Sequence, residues 1–331
     1  MKSIFVLCGL MFCAASFAQN IPFHHLGYSF KSQTNIANID LVWTAPTNDL
    51  PRALWIYRAL PSEVSPKVIA NLKTLGSFTD KDRKEIPDSP RIISYANPSG
   101  KKTLLINPDW SFIQYKDSDA DDMHITEGVP DKEQAFKIAT KWLPKLGIDR
   151  SQLAKKPHSS DLQVNVGEET AILYKSRDGP AYATNISMRE VFFMRSFDGV
   201  EISGGTGRGG CAIGIGNHAR ISQIFMSWRK YERDKSYPTA TPQTLLKWIH
   251  EGKVVWRPSP DEFYPDWSSV KKMVITKVTP YYYSEGYSEY DKPQNWVAPF
   301  AELEAKIETD QTNSTIYLDC PIIDDTKPLK K

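Results

Sequence analysis

The sequence lacks the features that mark a membrane-spanning protein or a nucleic-acid-binding protein. After residue 15, no apolar run approaches the roughly 20 residues that a membrane-spanning helix needs. The 331 residues include 41 Lys and Arg and 39 Asp and Glu, which gives a net charge of +2. So small a charge provides little long-range attraction for nucleic acid or for an anionic membrane. We therefore expect no nucleic-acid partner and no stable membrane insertion of the mature chain.

The usual signatures of catalytic and metal centres are also missing. No H-x-x-x-H or C-x-x-C spacing occurs, which argues against zinc, and no G-x-S-x-G motif marks a nucleophilic serine. The alternating aspartates of residues 117–121 resemble calcium ligands, but Asp122 and Gly128 stand where an EF-hand requires Gly and Glu. Residues 205–210 fit G-x-G-x-x-G, yet a strand-like run follows instead of a helix. We predict an acidic linker, a hairpin loop, and no catalytic residue, cofactor or metal.

The first residues predict a cleavable export signal. Lys2 supplies a basic start, residues 4–15 form an apolar stretch, and Ser16-Phe17-Ala18 has the small residues that precede a cleavage point. We predict a signal peptide over residues 1–18 and a secreted or periplasmic mature protein. An uncleaved anchor is one alternative. A lipoprotein signal ending at Cys13 is another, although Phe12 is bulky where that signal prefers Gly or Ala.

Of the four cysteines, Cys211 and Cys320 follow the predicted signal. Both lie in strand-like surroundings, and outside the cytoplasm such a pair can form a disulfide. A disulfide closing so long a loop would stabilise the fold by about 4–5 kcal/mol. Two buried free thiols are the alternative, because the sequence does not show whether the two Cα atoms come together.

Three helices are predicted from their capping residues. The first begins at Ser65 and the third at Thr241, each followed by a proline and each ending at a glycine 11 residues after the cap. The middle helix spans residues 131–147, and Pro144 is expected to distort its last turn.

Strand-like runs follow each helix and are joined by turns rich in Asn, Pro and Gly. This order predicts an α+β fold of antiparallel sheets, each covered on one face by a helix. The predicted division is a signal peptide (1–18), an N-terminal module (19–128), a central module (129–236), a C-terminal α+β module (237–322) and a tail (323–331).

One stretch carries a resemblance to a known family. Residues 191–202 contain the polar turn Arg195-x-x-Asp198-Gly199-Val200, and a Gly-rich turn at 212–216 follows. The pattern resembles tandem PepSY-like domains, especially the extracytoplasmic regulators of the WalK sensor kinase (the YycH/YycI type). The resemblance implies PepSY-like modules that bind or inhibit another protein and do not catalyse a reaction. Those regulators are normally tethered by a membrane helix, whereas the signal predicted here is cleavable.

Aromatic residues concentrate toward the C-terminal end. We predict an aromatic binding surface for a peptide or a sugar, with packing in the core as the alternative; its members are Phe263, Tyr264, Trp267, Tyr281, Tyr283 and Trp296. We expect an exported, non-enzymatic binding or regulatory protein that contacts another exported protein or peptide through exposed sheet faces and this surface. A secreted hydrolase and a glycan-binding protein, each with a site between modules, are the alternatives.

Overall fold

A computed structural model describes residues 39–47, 50–87, 89, 91–122, 127–156, 159–174, 181–204, 209–257, 267–284, 295–309, 313–323 and 329. The predicted signal peptide, the loop at 205–208 and two members of the predicted aromatic surface, Phe263 and Tyr264, lie outside these residues. Within them, no helix has the length and apolarity needed to cross a membrane.

The described elements are mostly strands. In chain order they are β1 (Asp40–Trp43), β2 (Ala53–Ala59), α1 (Pro66–Gly76), β3 (Arg83–Lys84), β4 (Ile93–Ala96), β5 (Lys102–Asn107), β6 (Phe112–Asp117), α2 (Lys132–Trp142), β7 (Val164–Tyr174), β8 (Ala181–Phe193), β9 (Ser196–Phe197), β10 (Val200–Gly204), β11 (Cys211–Ile215), β12 (Ile221–Ser227), β13 (Tyr231–Pro238), α3 (Pro242–His250), β14 (Val255–Arg257), β15 (Lys272–Ser284), β16 (Trp296–Glu308) and β17 (Asn313–Pro321). They form two large, mainly antiparallel sheets, one of them a half-barrel. The predicted α+β fold of helix-covered modules is therefore wrong.

The three predicted helices are present, and their caps form as expected. The side chains of Ser65, Asp131 and Thr241 each accept a hydrogen bond from the backbone N–H three residues later. Pro144 lies in a 3-10 turn, Leu143–Leu146, that directly follows α2. This turn confirms the predicted distortion of the helix end.

The eight-stranded sheet has the strand order β3-β4-β5-β6-β12-β11-β8-β7. Helices α1 and α2 both cover one face of it, and their apolar residues share a single core with the strands. The sheet crosses the boundary predicted near residue 128, because β6 and β12 pair antiparallel through Ile224 and Tyr115. Two helices thus pack against one sheet, whereas the sequence predicted a separate sheet for each helix.

The nine-stranded sheet joins the two ends of the described chain. Its main order is β13-β2-β16-β15-β10-β9, with β17 also paired to β16. Near the start of the described chain, β1 pairs parallel to β15, so that Asp40 lies opposite Lys272. Helix α3 contributes Leu245, Trp248 and Ile249 to the core on this sheet. Because strands that are far apart in the sequence pair with one another, this sheet does not divide into consecutive modules.

The predicted disulfide does not form. Both Cys211 and Cys320 are free and fully buried. Cys211 belongs to the core between the eight-stranded sheet and its helices, whereas Cys320 belongs to the core of the other sheet. The two thiols are held in separate hydrophobic cores, and burial raises the pKa of each.

Candidate functional site

Of the described members of the predicted aromatic surface, the structure brings only Tyr281 and Tyr283 together. Trp267 is 7% exposed and belongs to the core of the nine-stranded sheet. Tyr281 is also buried, in a smaller cluster where Tyr283 and Phe300 pack beside it. Trp296, with 37% exposure, is the member that faces solvent most openly. In the described part of the chain, these rings do not form one exposed surface.

The acidic run at 117–121 is a structured turn after β6, and the prediction of a solvated linker is wrong for its first member. Asp117 is 3% exposed and pairs with Arg220 and Lys102. It also accepts a hydrogen bond from the backbone N–H of Asp119, whose own carboxylate pairs with Lys101. These contacts explain Asp117 and Asp119 as partners of basic side chains.

The turn that carries the family resemblance lies where the chain crosses between the two sheets. We call this region the junction; it comprises residues 195–198 and 228–233 together with Tyr57 and Leu60. The crossings after β2 and β12 meet here, since the N–H of Leu60 donates to the carbonyl of Lys230 at 2.9 Å. The crossing after β8 joins them through Arg195, whose Nη1 donates to the carbonyl of Arg229 at 2.6 Å.

Arg195 is enclosed by aromatic rings. Its guanidinium carbon lies 4.8 Å from the centre of the Trp228 ring, 5.0 Å from Phe197 and 5.4 Å from Tyr231. No carboxylate of the described residues pairs with it. Burial lowers the pKa of the guanidinium to about 10, so the group remains charged at neutral pH. Contact with three ring faces therefore takes the place of a counter-ion.

Asp198 completes the junction from a tight turn between β9 and β10. Asp198 and Gly199 have φ values of 51° and 83°, as a type I′ hairpin requires. The Asp198 carboxylate accepts hydrogen bonds from the Tyr57 hydroxyl, at 2.5 Å, and from Arg233. Burial and the hydrogen bond to Asp198 raise the pKa of Tyr57, which stacks on Phe197 with ring centres 4.1 Å apart. The Arg-x-x-Asp-Gly turn thus positions the two sheets.

A second group of residues occupies the face of the eight-stranded sheet opposite α1 and α2. We call it the open face. Because side chains alternate along a strand, the residues next to the core positions form two rows across β8, β11, β12 and β6. One row is Phe192, Ala212, Phe225 and Gln114; the other is Glu190, Gly214, Gln223 and Lys116. Both phenyl rings, the Glu190 side chain and both Gln side chains are only partly buried.

Gly214 allows the side chains of Glu190 and Gln223, on the two neighbouring strands, to meet above β11. Gln223 Nε2 donates to Glu190 Oε2 at 2.9 Å, which links two strands that flank Gly214. A Cβ at this position would lie 2.6 Å from Gln223 Cγ and would collide with Met188 Sδ. A side chain at this position would displace Met188 and Gln223, so glycine leaves room for the hydrogen bond that holds the Glu190 carboxylate in place.

Three carboxyl groups on this side of the sheet share an unusual electrostatic setting. Burial raises the pKa of Glu190, and the hydrogen bond from Gln223 opposes that rise. Burial also raises the pKa of Glu169, and the nearby charges of Asp121 and Glu190 raise it further. Burial raises the pKa of Asp121 as well. The charge of Lys116, in the same row, lowers the pKa of Glu169 and of Asp121 in turn. Partly desolvated carboxyls that lie beside one another gain further from a hydrogen-bond-donating ligand.

The chemistry of this face favours binding. The nearby thiol of Cys211 points into the core on the other face, so it does not join the carboxyls. Among the described residues, no group of three or more Asp, Glu, His or Cys side chains is arranged to hold a metal ion. What the face does offer is aromatic surface, amides and a fixed carboxylate, which are the groups that recognise a partner.

A separate cavity of about 660 Å³ opens between α2 and the segment that precedes β7. Its described lining comprises Phe136, Arg150, Ser151, Lys155, Lys156, Ser160, Asp161, Leu162 and Val164. Asp161 is the single acid in that lining, whereas a glycoside hydrolase needs two carboxyls across its site. This cavity therefore lacks the feature that would favour the hydrolase alternative.

Comparison with known proteins adds little. No family model and no curated protein matches the chain. Among solved structures, an uncharacterized protein from Eubacterium rectale ATCC 33656 is similar over 88% of this chain and 90% of its own, with 10% identity and a TM-score of 0.47. So distant a likeness carries no information about function, and the resemblance to PepSY-like regulators stays a prediction.

Sequence reasoning missed the open face because its members lie on four separate strands, one of which, β6, is distant in the chain from the other three. Residues 191–193 and 224–226 are all large and apolar. The sequence of these strands therefore does not show which residues face the core and which lie on the open face. One available signal was Gly214 between two isoleucines, which indicates a close approach in the middle of a strand.

Proposed function

We propose that the chain is an exported, non-enzymatic binding protein that regulates another exported protein by contact through the open face. The observation that carries the proposal is the asymmetry of the eight-stranded sheet. Two helices cover one face, while the other presents partly buried rings beside a fixed carboxylate of raised pKa. The basic start and small-residue exit of residues 1–18 support export.

The composition of the open face supports a protein as the partner. Phe192 and Phe225 flank Ala212 in one row, so two rings border a low strip along β11. Beside them, the Glu190 carboxylate and the Gln223 amide supply polar contacts. Aromatic anchors with adjacent hydrogen-bonding groups are typical of the energetic centre of a protein interface.

A glycan is the second candidate partner. Rings beside amides and carboxylates also suit a sugar, whose apolar ring face stacks while its hydroxyls form hydrogen bonds. Phe225 and Gln114 lie next to each other in such an arrangement. The Phe225 ring also packs edge-to-face with Phe112, with the ring centres 4.9 Å apart.

Site-specific photo-crosslinking in the source organism tests the proposal. A photoreactive phenylalanine analogue replaces Phe225 on the open face, and the same analogue replaces Lys141, an exposed residue of α2 on the helix side. We expect a discrete crosslinked protein from position 225 that is missing from position 141. The Phe192 position should capture the same protein, because the two rings border the same strip.

Three results would contradict the proposal. Capture of the same proteins from positions 225 and 141 would indicate non-specific contact. Absence of any crosslinked protein from positions 225 and 192 would exclude a protein partner on this face. Selective binding to a glycan array that is lost in Phe225→Ala, without a protein crosslink, would replace the proposed partner with a sugar.

A further inference from the structure

The hairpin of β7 and β8 extends beyond the rest of its sheet. Strand β11 pairs with β8 only from Arg189 to Phe193, whereas β7 pairs with β8 as far as Tyr174 and Ala181. We call residues 170–174 and 181–186 the arm. In it, five residue pairs, from Thr170–Ile186 to Tyr174–Ala181, join only the two arm strands to each other. Within the described chain, both outer edges of the arm lack a paired strand.

The sequence of the arm places no charge and no proline on those edges. Residues 170–174 and 181–188 contain no Asp, Glu, Lys or Arg, and they include several β-branched and aromatic residues. Exposed edge strands are normally protected by charge, by proline or by a bulge that twists the edge away. The arm has bulges, at Glu169/Thr170 and Leu173/Tyr174, but it has neither charge nor proline. A two-stranded hairpin is also only marginally stable in water without further packing.

We propose that the arm pairs with the arm of a second copy of this chain, β7 against β7, about a two-fold axis. This pairing would supply the missing hydrogen bonds to the outer edge of β7. The eight-stranded sheet would then continue from one copy into the other. The interface does not involve the open face, so the proposal is independent of the proposed function.

The absence of charge in the arm favours a second copy over a foreign strand. An uncharged segment can lie antiparallel to itself without placing like charges opposite each other. A foreign strand is an outcome that the experiment below can detect.

A cysteine scan of the full chain, purified after signal removal, tests the pairing. The native thiols Cys211 and Cys320 are fully buried, so an introduced cysteine is the reactive one. Thr170, Ala171, Ile172 and Leu173 are replaced singly, and Thr315→Cys on β17 serves as an exposed control. Under mild oxidation we expect a disulfide-linked dimer at one or two adjacent arm positions, those nearest the two-fold axis, and none at 315.

Sedimentation measures the same association without crosslinking. We expect the unmodified chain to sediment as two copies. Adding two positive charges with Thr170→Lys and Ile172→Lys should raise the dissociation constant at least about tenfold. The control Thr279→Lys with Thr315→Lys, which adds the same charge at exposed threonines of the other sheet, should leave it unchanged.

A single-copy mass together with no arm crosslink would overturn the proposal. So would a dimer whose arm positions never crosslink, because another surface would then hold the copies together. Co-purification of a foreign protein that is released by the arm lysines would replace the second copy with a heterologous strand.

Discussion

The two faces of the eight-stranded sheet are built from neighbouring residues of the same strands, yet they differ in chemistry. On the helix side, Val191, Ile213 and Ile224 are fully buried in one apolar core. One position along each strand, Glu190, Gly214 and Gln223 form a polar row across the open face. The core face therefore accounts for the stability of the sheet, and the open face carries groups whose burial costs free energy.

This difference explains why a partly desolvated carboxylate is retained at Glu190. The helix-side core can offset the cost of holding that carboxyl in a setting that raises its pKa. Groups that destabilise a fold and are nevertheless fixed by a hydrogen bond are typical of binding sites. We therefore expect substitutions on the two faces to change the free energy of unfolding by different amounts.

The largest expected effect belongs to the helix side. Ile213→Ala leaves a cavity in a fully buried core and should lower the free energy of unfolding by about 3–4 kcal/mol. Phe225→Ala, on the open face, should cost only about 1–2 kcal/mol, because the ring is partly exposed. Urea unfolding of both variants measures the difference. Equal losses would mean that the open face is a second core.

A substitution in the junction should lower the free energy of unfolding by an amount between those expected for the two faces. Arg195→Ala removes a buried side chain and its contacts with three rings, and we expect a loss of about 2–3 kcal/mol. Arg195→Lys keeps the charge but loses the planar contacts, so it should recover only part of that stability. Thermal unfolding provides the comparison. Full recovery in the lysine variant would show that charge alone matters at this position.

Glu190→Gln should stabilise the protein at pH 7. The pKa of Glu190 is raised in the folded state, so the stability it contributes is present below its unfolded pKa and is lost as the pH rises through the folded value. Glutamine can still accept the hydrogen bond from Gln223 and carries no charge. The gain in unfolding free energy should be absent at pH 3 and complete at pH 7. A gain of equal size at both pH values would exclude ionisation as its cause.

The smallest effect concerns thiol reactivity. The folded protein should show no reactive thiol from Cys211 or Cys320, because both are fully buried and burial raises the pKa of each. Phe225→Cys should add one reactive thiol from the open face. Unfolding should expose two native thiols if residues 1–18 have been removed, and four if they have been retained. Titration with a thiol reagent counts them, and a count of four would contradict signal cleavage.

Local features of the fold could be predicted from the sequence. The starts of the three helices followed from Ser65, Asp131 and Thr241, because a capping side chain acts within one turn. The strands that follow the first helix, β4, β5 and β6, were predicted for a similar reason, because the Asn-, Pro- and Gly-rich turns that join them act locally. The pairing of Asp40 with Lys272 could not be predicted, because nothing in a strand of four residues specifies a partner more than 200 residues away.

Less of the candidate site than of the fold could be predicted from the sequence. The sequence indicated that exposed sheet faces would make the contact, but it favoured the aromatic residues near the C-terminal end. Trp267 and Tyr281 are buried, while the register of β8, β11 and β12 places Phe192 and Phe225 on either side of Ala212. Register depends on the packing of the opposite face, which no single strand reveals.

The most direct test of the open face is the affinity of its crosslinked partner for Glu190→Gln. We expect the variant to bind about tenfold more weakly than the unmodified chain, while its stability at pH 7 is equal or higher. Unchanged affinity in a correctly folded Glu190→Gln variant would contradict the assignment of binding to this face.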